Sequence, residues 1–218
     1  MISPLPFDSS LFNYPVGKTN QGSDWNEKEF LEEAKDYQLI YIFSQNPVQF
    51  ESQDIVHVDT KLTFQKELKQ IHEETEVQKW EGELVPELID LAFLSGSFSR
   101  FKLDRRLKNK EFENLYNIWI ENAWEGKQIL SAPDLAGMVT VDTEKEMGKI
   151  GLIAVSEKQQ GKGWGKKLVK AAESKALSQG AQFIQIPTQE QNIPACNLYT
   201  SLGYSLIEKV YVYHWWKR

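Results

Sequence analysis

Residues 156–169 read SEKQQGKGWGKKLV, and what this stretch holds decides how the rest of the chain is read. Gly161, Gly163 and Gly165 lack the side chains that would keep a ligand off the backbone. The lysine-rich segment after them is spaced as an amphipathic helix, whose positive end faces the same spot, so an anion is the natural guest. A P-loop needs four residues between its first glycine and Gly-Lys-Ser/Thr, whereas three separate Gly161 from Gly165 and Lys167 stands where Ser/Thr belongs. A dinucleotide fingerprint needs a third glycine where Lys166 stands, and the strand before this loop belongs to a hairpin, not to the start of a βαβ unit. The pattern left is Gln160-x-x-Gly163-x-Gly165, set after an apolar strand over 150–155 (IGLIAV) and before a helix over 163–179.

The whole chain narrows the guest. Its 218 residues, 41% hydrophobic, suffice for a packed core. With 31 acidic residues against 25 basic, the net charge of −6 argues against non-specific binding to nucleic acid or to an anionic membrane. The aromatic end, YVYHWW at 211–216, accordingly reads as sheet or dimer packing, since base stacking needs a basic surround. A single cysteine, Cys196, forbids an internal disulfide, and no Cys/His cluster has zinc spacing, so no metal is expected. Cys196 has no histidine near it in sequence and reads as a small core residue; His57, His72 and His214 are isolated and read as structural. The first residues, MISPLPFDSS, lack the basic start and apolar run of a signal peptide. No stretch approaches the ~18 apolar residues of a membrane span, which predicts a cytoplasmic soluble protein.

Two parts are expected. Before residue 76, turn formers and aromatics over 1–23 precede a helix over 27–37 and strands over 38–44 and 54–62; residues 63–75, polar and charged, read as a boundary or connecting helix. After it come helices over 86–94 and 110–124, joined by the loop SGSFSRFKLDRRLK, then strands over 127–130, 135–142 and 150–155. A helix over 163–179, a strand over 181–187, a helix over 192–202 and a long aromatic strand or hairpin over 204–216 complete the chain. Gly180 and Gly203 stop the two helices.

A second pattern lies in residues 192–204, NIPACNLYTSLGY. At 3.6 residues per turn Asn192, Ala195 and Tyr199 share one helix face, and Gly203 can take the left-handed turn into the strand at Tyr204. In order and spacing the two patterns resemble those of the GCN5-related N-acetyltransferase (GNAT) family. The resemblance implies an α/β fold with a mixed, mostly antiparallel sheet flanked by helices: a GNAT domain over 76–218 behind a smaller N-terminal α/β region over 1–75. It also implies acetyl-CoA as cosubstrate, with no metal. The pantetheine arm would lie along Leu152, Ile153, Ala154 and Val155, where a backbone N–H faces the thioester oxygen. The pyrophosphate would lie on the N–H groups of Gln160, Gly161, Lys162, Gly163, Trp164, Gly165 and Lys166, with Lys162, Lys166 or Lys167 available to phosphates. Asn192 would hydrogen-bond the cofactor arm, and Tyr199 would be the general acid toward the CoA thiolate. No His or Glu sits in 150–155, so the general base is not legible.

Within the family, the chain is similar to the branch that acetylates the 4-amino group of dTDP-4-amino-4,6-dideoxy-galactose (dTDP-fucosamine). Leu11-Phe12-Asn13, Ser99-Arg100-Phe101, Trp119-Ile120-Glu121-Asn122-Ala123 and Ile150-Gly151-Leu152-Ile153-Ala154 carry that likeness. It implies a nucleotide-linked amino sugar as acceptor, Arg100 on the diphosphate, Phe101 or Phe98 stacked on the base, and a homodimer. Another small amine or a protein amine is the alternative acceptor, and a non-catalytic CoA-binding module the alternative of another class.

Overall fold

A computed structural model describes residues 1–70 and 76–218. In chain order its strands are β1 (Ser3–Pro4), β2 (Val16–Asn20), β3 (Leu39–Ser44), β4 (Ile55–Glu67), β5 (Gln78–Lys79), β6 (Ile129–Ser131), β7 (Gly137–Glu144), β8 (Met147–Val155), β9 (Phe183–Gln189) and β10 (Ser205–Trp216). The helices are α1 (Pro6–Phe12), α2 (Glu27–Glu33), α3 (Pro86–Ser95), α4 (Arg100–Leu103), α5 (Glu111–Glu125), α6 (Trp164–Ser178) and α7 (Ile193–Ser201). The strands form one sheet in the order β1-β2-β3-β10-β4-β9-β8-β7-β6-β5. Only β2/β3 and β8/β9 run parallel.

Both faces of the sheet are covered, and the alternation of side chains along β3 shows how. Leu39 and Tyr41 join the core beneath α1, α3, α4 and α5, whereas Ile40 and Ile42 join the core beneath α2. On that second side, further along the sheet, α6 and α7 pack Leu168, Val169, Ala172 and Tyr199 onto Leu62, Phe64, Val139, Val141, Ile184 and Ile186. The strands are therefore apolar on both faces, which is why 150–155 reads as a continuous hydrophobic run.

Two expectations are corrected here. Residues 63–67 are not a connecting segment but the second half of β4: Thr63 pairs with Pro187 and Glu67 with Phe183, so β9 gives these polar residues ladder partners that outweigh their low strand preference. The expected boundary near 76 also separates no sheet. β10 lies between β3 and β4, so the last strand of the chain is held on both sides by strands from before that boundary. Residues 204–216 form one strand and not a hairpin, because partners on both edges keep it extended over its whole length. The loop after α3 contains the short α4. His72 lies outside the described residues. His57 hydrogen-bonds Thr60 Oγ1 at 3.1 Å, and buried His214 bonds Asp104 through Nδ1 at 2.7 Å. Among the described residues no helix is long and apolar enough to cross a membrane, and no group of three His, Cys, Asp or Glu could hold a metal ion.

One ion pair ties the N-terminal strands to α6. Glu173 of α6 is 1% exposed and takes both hydrogen bonds from Lys66 Nζ of β4, at 2.9 and 3.0 Å. Removing one partner leaves a charge with little water to replace it. Lys66→Met should therefore cost roughly 3 kcal/mol or more of unfolding free energy in urea titration, the scale for breaking a buried pair. A loss below about 0.5 kcal/mol, the range of exposed surface changes, would show that the pair does not hold the two regions together.

Candidate active site

The site begins with one extra residue in β8. Val141 opposes Ile150 and Val139 opposes Ile153, so Gly151 and Leu152 together face Thr140. The Leu152 N–H, which this bulge takes out of the ladder, donates to Thr140 Oγ1 at 2.8 Å in a buried setting. The bulge also reverses the phase of the strand: Ile150 joins the core under α6, while Leu152 and Ala154 join the core under α3 and α5. Without it, Ile150 and Leu152 would share a face.

β8 and β9 pair only at Met147–Phe183, Gly148–Ile184 and Lys149–Gln185, and separate where the bulge begins. Ser156 N–H donates to Ala136 O at 2.9 Å, which fixes the polarity of the β7/β8 ladder. Ser156 and Ala154 thus turn their backbone groups to β7, and Ile153 and Val155 turn theirs into the gap. A cleft of about 600 Å³ occupies that gap, lined by Ile153, Ala154 and Val155 on one side and by Asn192, Ala195, Leu198 and Tyr199 on the other.

The loop at 160–165 closes one end of this cleft. Gly161 (φ 76°) and Gly163 (φ 84°) adopt left-handed conformations that L side chains disfavour, and a Cβ at either would meet no atom within 4 Å. Gly163 caps α6 without a side-chain acceptor, and no acidic residue sits in the first turn. Among the described residues no carbonyl accepts from the N–H groups of residues 161–166. A bare row of donors at a helix start, open to a cleft, suits a pyrophosphate, and the strand edge, free at the Ile153 backbone and the Val155 N–H, suits an amide-bearing arm; the residues present fit CoA. The Gln160 N–H, expected on the pyrophosphate, donates instead to Glu157 O at 3.4 Å, and its side chain donates to Val155 O at 3.2 Å. Lys162 reaches Gln159 Oε1 at 2.9 Å, and Lys166 is exposed. Lys167 is engaged elsewhere, paired with Glu76 and set over the Trp164 ring at 4.5 Å.

α7 supplies the opposite wall. Asn192 is not on the helix face, as its spacing predicts, but is the N-cap: its Oδ1 accepts from Ala195 N–H at 3.3 Å, because Asn favours that position and Pro194, which lacks an N–H, favours the first turn that follows. It still lines the cleft. Tyr199 is 2% exposed and lines the same cleft, packed edge-on against Phe64. Burial, with a smaller effect from Cys196, pushes its hydroxyl well above the ordinary phenol range, so it stays protonated and has a proton to donate.

Two expected site residues lie elsewhere. Leu152 is 5% exposed and packs into the core beneath α3 and α5, its N–H held by Thr140. Phe101 is 6% exposed, edge-on to Phe12, Tyr41 and Trp119, and has no free face for a base. Phe98, 37% exposed, stands at the cleft instead. Arg100 is partly buried, its guanidinium carbon 4.3 Å from the Phe101 ring centre and 4.9 Å from that of Tyr41. Thr140 went unread in the sequence: its role depends on a register that no local pattern displays.

The model of the acetyltransferase (GNAT) family matches residues 85–204, more than half of the chain, and the chain belongs to that family. Streptothricin acetyltransferase of Escherichia coli is 36% identical over 74 residues, 34% of this chain and 42% of that protein. The chain thus spans about two fifths of that relative's length. Among solved structures, a GNAT-family acetyltransferase from Colwellia psychrerythraea superposes with TM-score 0.54 at 12% identity, covering 83% of this chain and 66% of that one. A conserved protein of unknown function from Staphylococcus epidermidis superposes with TM-score 0.63 at 12% identity, covering 94% and 84%. At such identities the likeness is one of fold.

The bulge gives a direct test. Thr140→Val keeps the shape but removes the acceptor for a buried N–H, and should cost about 1–3 kcal/mol. Acetyl-CoA affinity by calorimetry should fall with it, since the splayed edge loses its anchor. Unchanged affinity would show that the bulge does not set the cleft.

Proposed function

We propose that the protein moves the acetyl group of acetyl-CoA onto the primary amine of a small cationic acceptor, with Tyr199 as the general acid. The observation that carries this proposal is the set of unused N–H groups of residues 161–166 opening onto the same cleft as the free β8 edge and the Tyr199 side chain. Bound acetyl-CoA supplies an acetyl group already activated as a thioester. The β8 edge would orient the arm and face the carbonyl oxygen with a backbone N–H; the 160–166 loop would hold the phosphates. Tyr199, kept protonated by burial, would donate to the departing sulfur while the nitrogen returns a proton to its oxygen, so the phenolate never accumulates.

For the acceptor, two observations favour an amine without a nucleotide. Arg100, the guanidinium expected on a diphosphate, is stacked on the Phe101 and Tyr41 rings. The curated relative acts on streptothricin. A nucleotide-linked amino sugar such as dTDP-4-amino-4,6-dideoxy-galactose is the second acceptor class, supported by Phe98, whose exposed ring at the cleft offers a base a stacking face. A cytoplasmic homodimer accords with the family resemblance and the acidic chain.

Release of CoA thiol from acetyl-CoA, followed with streptothricin, with the dTDP amino sugar and with a lysine-containing peptide in parallel, tests the proposal. Acceptor-dependent turnover with streptothricin, lost about 100-fold or more in Tyr199→Phe while acetyl-CoA affinity is retained, is the expected result. Turnover confined to the nucleotide sugar would reassign the acceptor. Acetyl-CoA binding without turnover on any amine would make the chain a binding module.

A further inference from the structure

Asp59 is a carboxylate where the strand has no obvious use for one. It sits in the β4 segment VHVDTKLTF, is 4% exposed, and pairs across the sheet with Val212 of β10, which places it on the α1/α4 face with Tyr41 and His214. The backbone of the neighbouring Thr60 donates a hydrogen bond to the Asp59 carboxylate. Its place along the sheet is informative. Thr60 O accepts from Glu190 N–H at 2.8 Å, just past the end of β9, so Asp59 stands at the end of β4 that flanks the open end of the β8/β9 gap.

From the other side, the chain that walls the cleft runs directly over it. Ser95, Ser97 and Phe98 line the cleft, and the next turn is α4, which packs on β4 and begins with Arg100. The Arg100 Nε is buried with no partner, an unusual cost unless a ligand or water meets it. Tyr116 lies beneath the same turn, where a Cβ at Gly96 would strike its hydroxyl at 2.6 Å, and its hydroxyl feels the charges of both Arg100 and Asp59. A carboxylate, a guanidinium with a spare donor and a phenol thus lie together behind the turn that carries Phe98 to the cleft.

We propose that Asp59 accepts the proton that the acceptor ammonium must lose before it attacks, and that Arg100 is the positioning residue that holds the carboxylate. The assignment rests on the acetyl transfer proposed above and deepens it. The acceptor R–NH3+ gives one proton to Asp59; its freed lone pair forms the C–N bond as the C–S bond breaks. The second proton leaves nitrogen by way of the Tyr199 hydroxyl to sulfur, and Asp59 returns the first to solvent. The products are the amide, CoA thiol and one released proton, with both side chains restored. Burial pushes the Asp59 carboxyl up to about 6 against the pull of Arg100, the Thr60 backbone and Lys61, close to where a base working near neutrality should lie. The groups facing it are Arg100 of α4, Tyr116 of α5 and, along the same face, Tyr41 of β3 and His214 of β10. His214 is held neutral by burial down to about 4, so Asp59 is the group whose protonation falls in this window.

The test uses the full chain with acetyl-CoA, streptothricin as an amine that is protonated at pH 7, and aniline as one that is not. In the wild type, kcat/KM with streptothricin should fall as pH drops through about 6, because the protonated carboxyl cannot accept. Asp59→Asn should lose about 100-fold or more in kcat at pH 7 with streptothricin, regain activity as pH rises, and lose less than about 5-fold with aniline. Acetyl-CoA affinity should be unchanged, which separates this loss from misfolding; Asp59→Glu, which restores the carboxylate, should recover part of the rate. Equal losses on both amines, or no loss on streptothricin, overturn the role of Asp59 and leave acetyl transfer standing. Absence of turnover in the wild type with both amines overturns the two together.

Discussion

Everything at this site depends on the Leu152 N–H finding Thr140 Oγ1 in place of a backbone carbonyl. That bond lets β8 carry one residue more than β7. The extra residue turns Leu152 and Ala154 toward α3 and α5, and the strand leaves β9. A sheet this thoroughly covered would ordinarily leave no backbone edge free in its middle. Here the edge is free at the Ile153 backbone and the Val155 N–H because the bulge makes it so, and the cost of unpaired groups is one that a bound amide chain can offset.

The loop after β8 solves a related problem at the helix start. α6 has a glycine cap and a lysine-rich first turn, so its N–H groups have neither a side-chain acceptor nor an acidic neighbour. Most helices satisfy these donors internally. Leaving them bare costs stability, which phosphates bound there would offset. The two unsatisfied features, strand edge and helix start, lie on one cleft, and a molecule with amides at one end and phosphates at the other matches both.

Local spacing made part of this legible. The glycines at 161, 163 and 165 and the set Asn192, Ala195 and Tyr199 each occupy one short element, and the structure brings both to one cleft. What depends on distant pairing was not legible. The strand character of residues 63–67 comes from β9, more than a hundred residues away in sequence, and the placement of β10 between β3 and β4 leaves no mark in any window of the chain. Phe101, expected to stack on a base from its place in the loop after α3, is instead buried by α1, β3 and α5, three elements scattered along the sequence. Asp59 did leave a signal, a lone carboxylate inside an otherwise strand-like run, but what it faces is set by α4 and by its β10 partner.

The central claim is that one bound molecule occupies the free β8 edge and the 160–166 loop at once, and amide hydrogen exchange followed by mass spectrometry reads both. Saturating acetyl-CoA should slow exchange in peptides covering 153–155 and 160–166 together, with little change in β1 to β3. Binding that protects neither segment, or protects the loop while leaving 153–155 unaltered, would contradict the account.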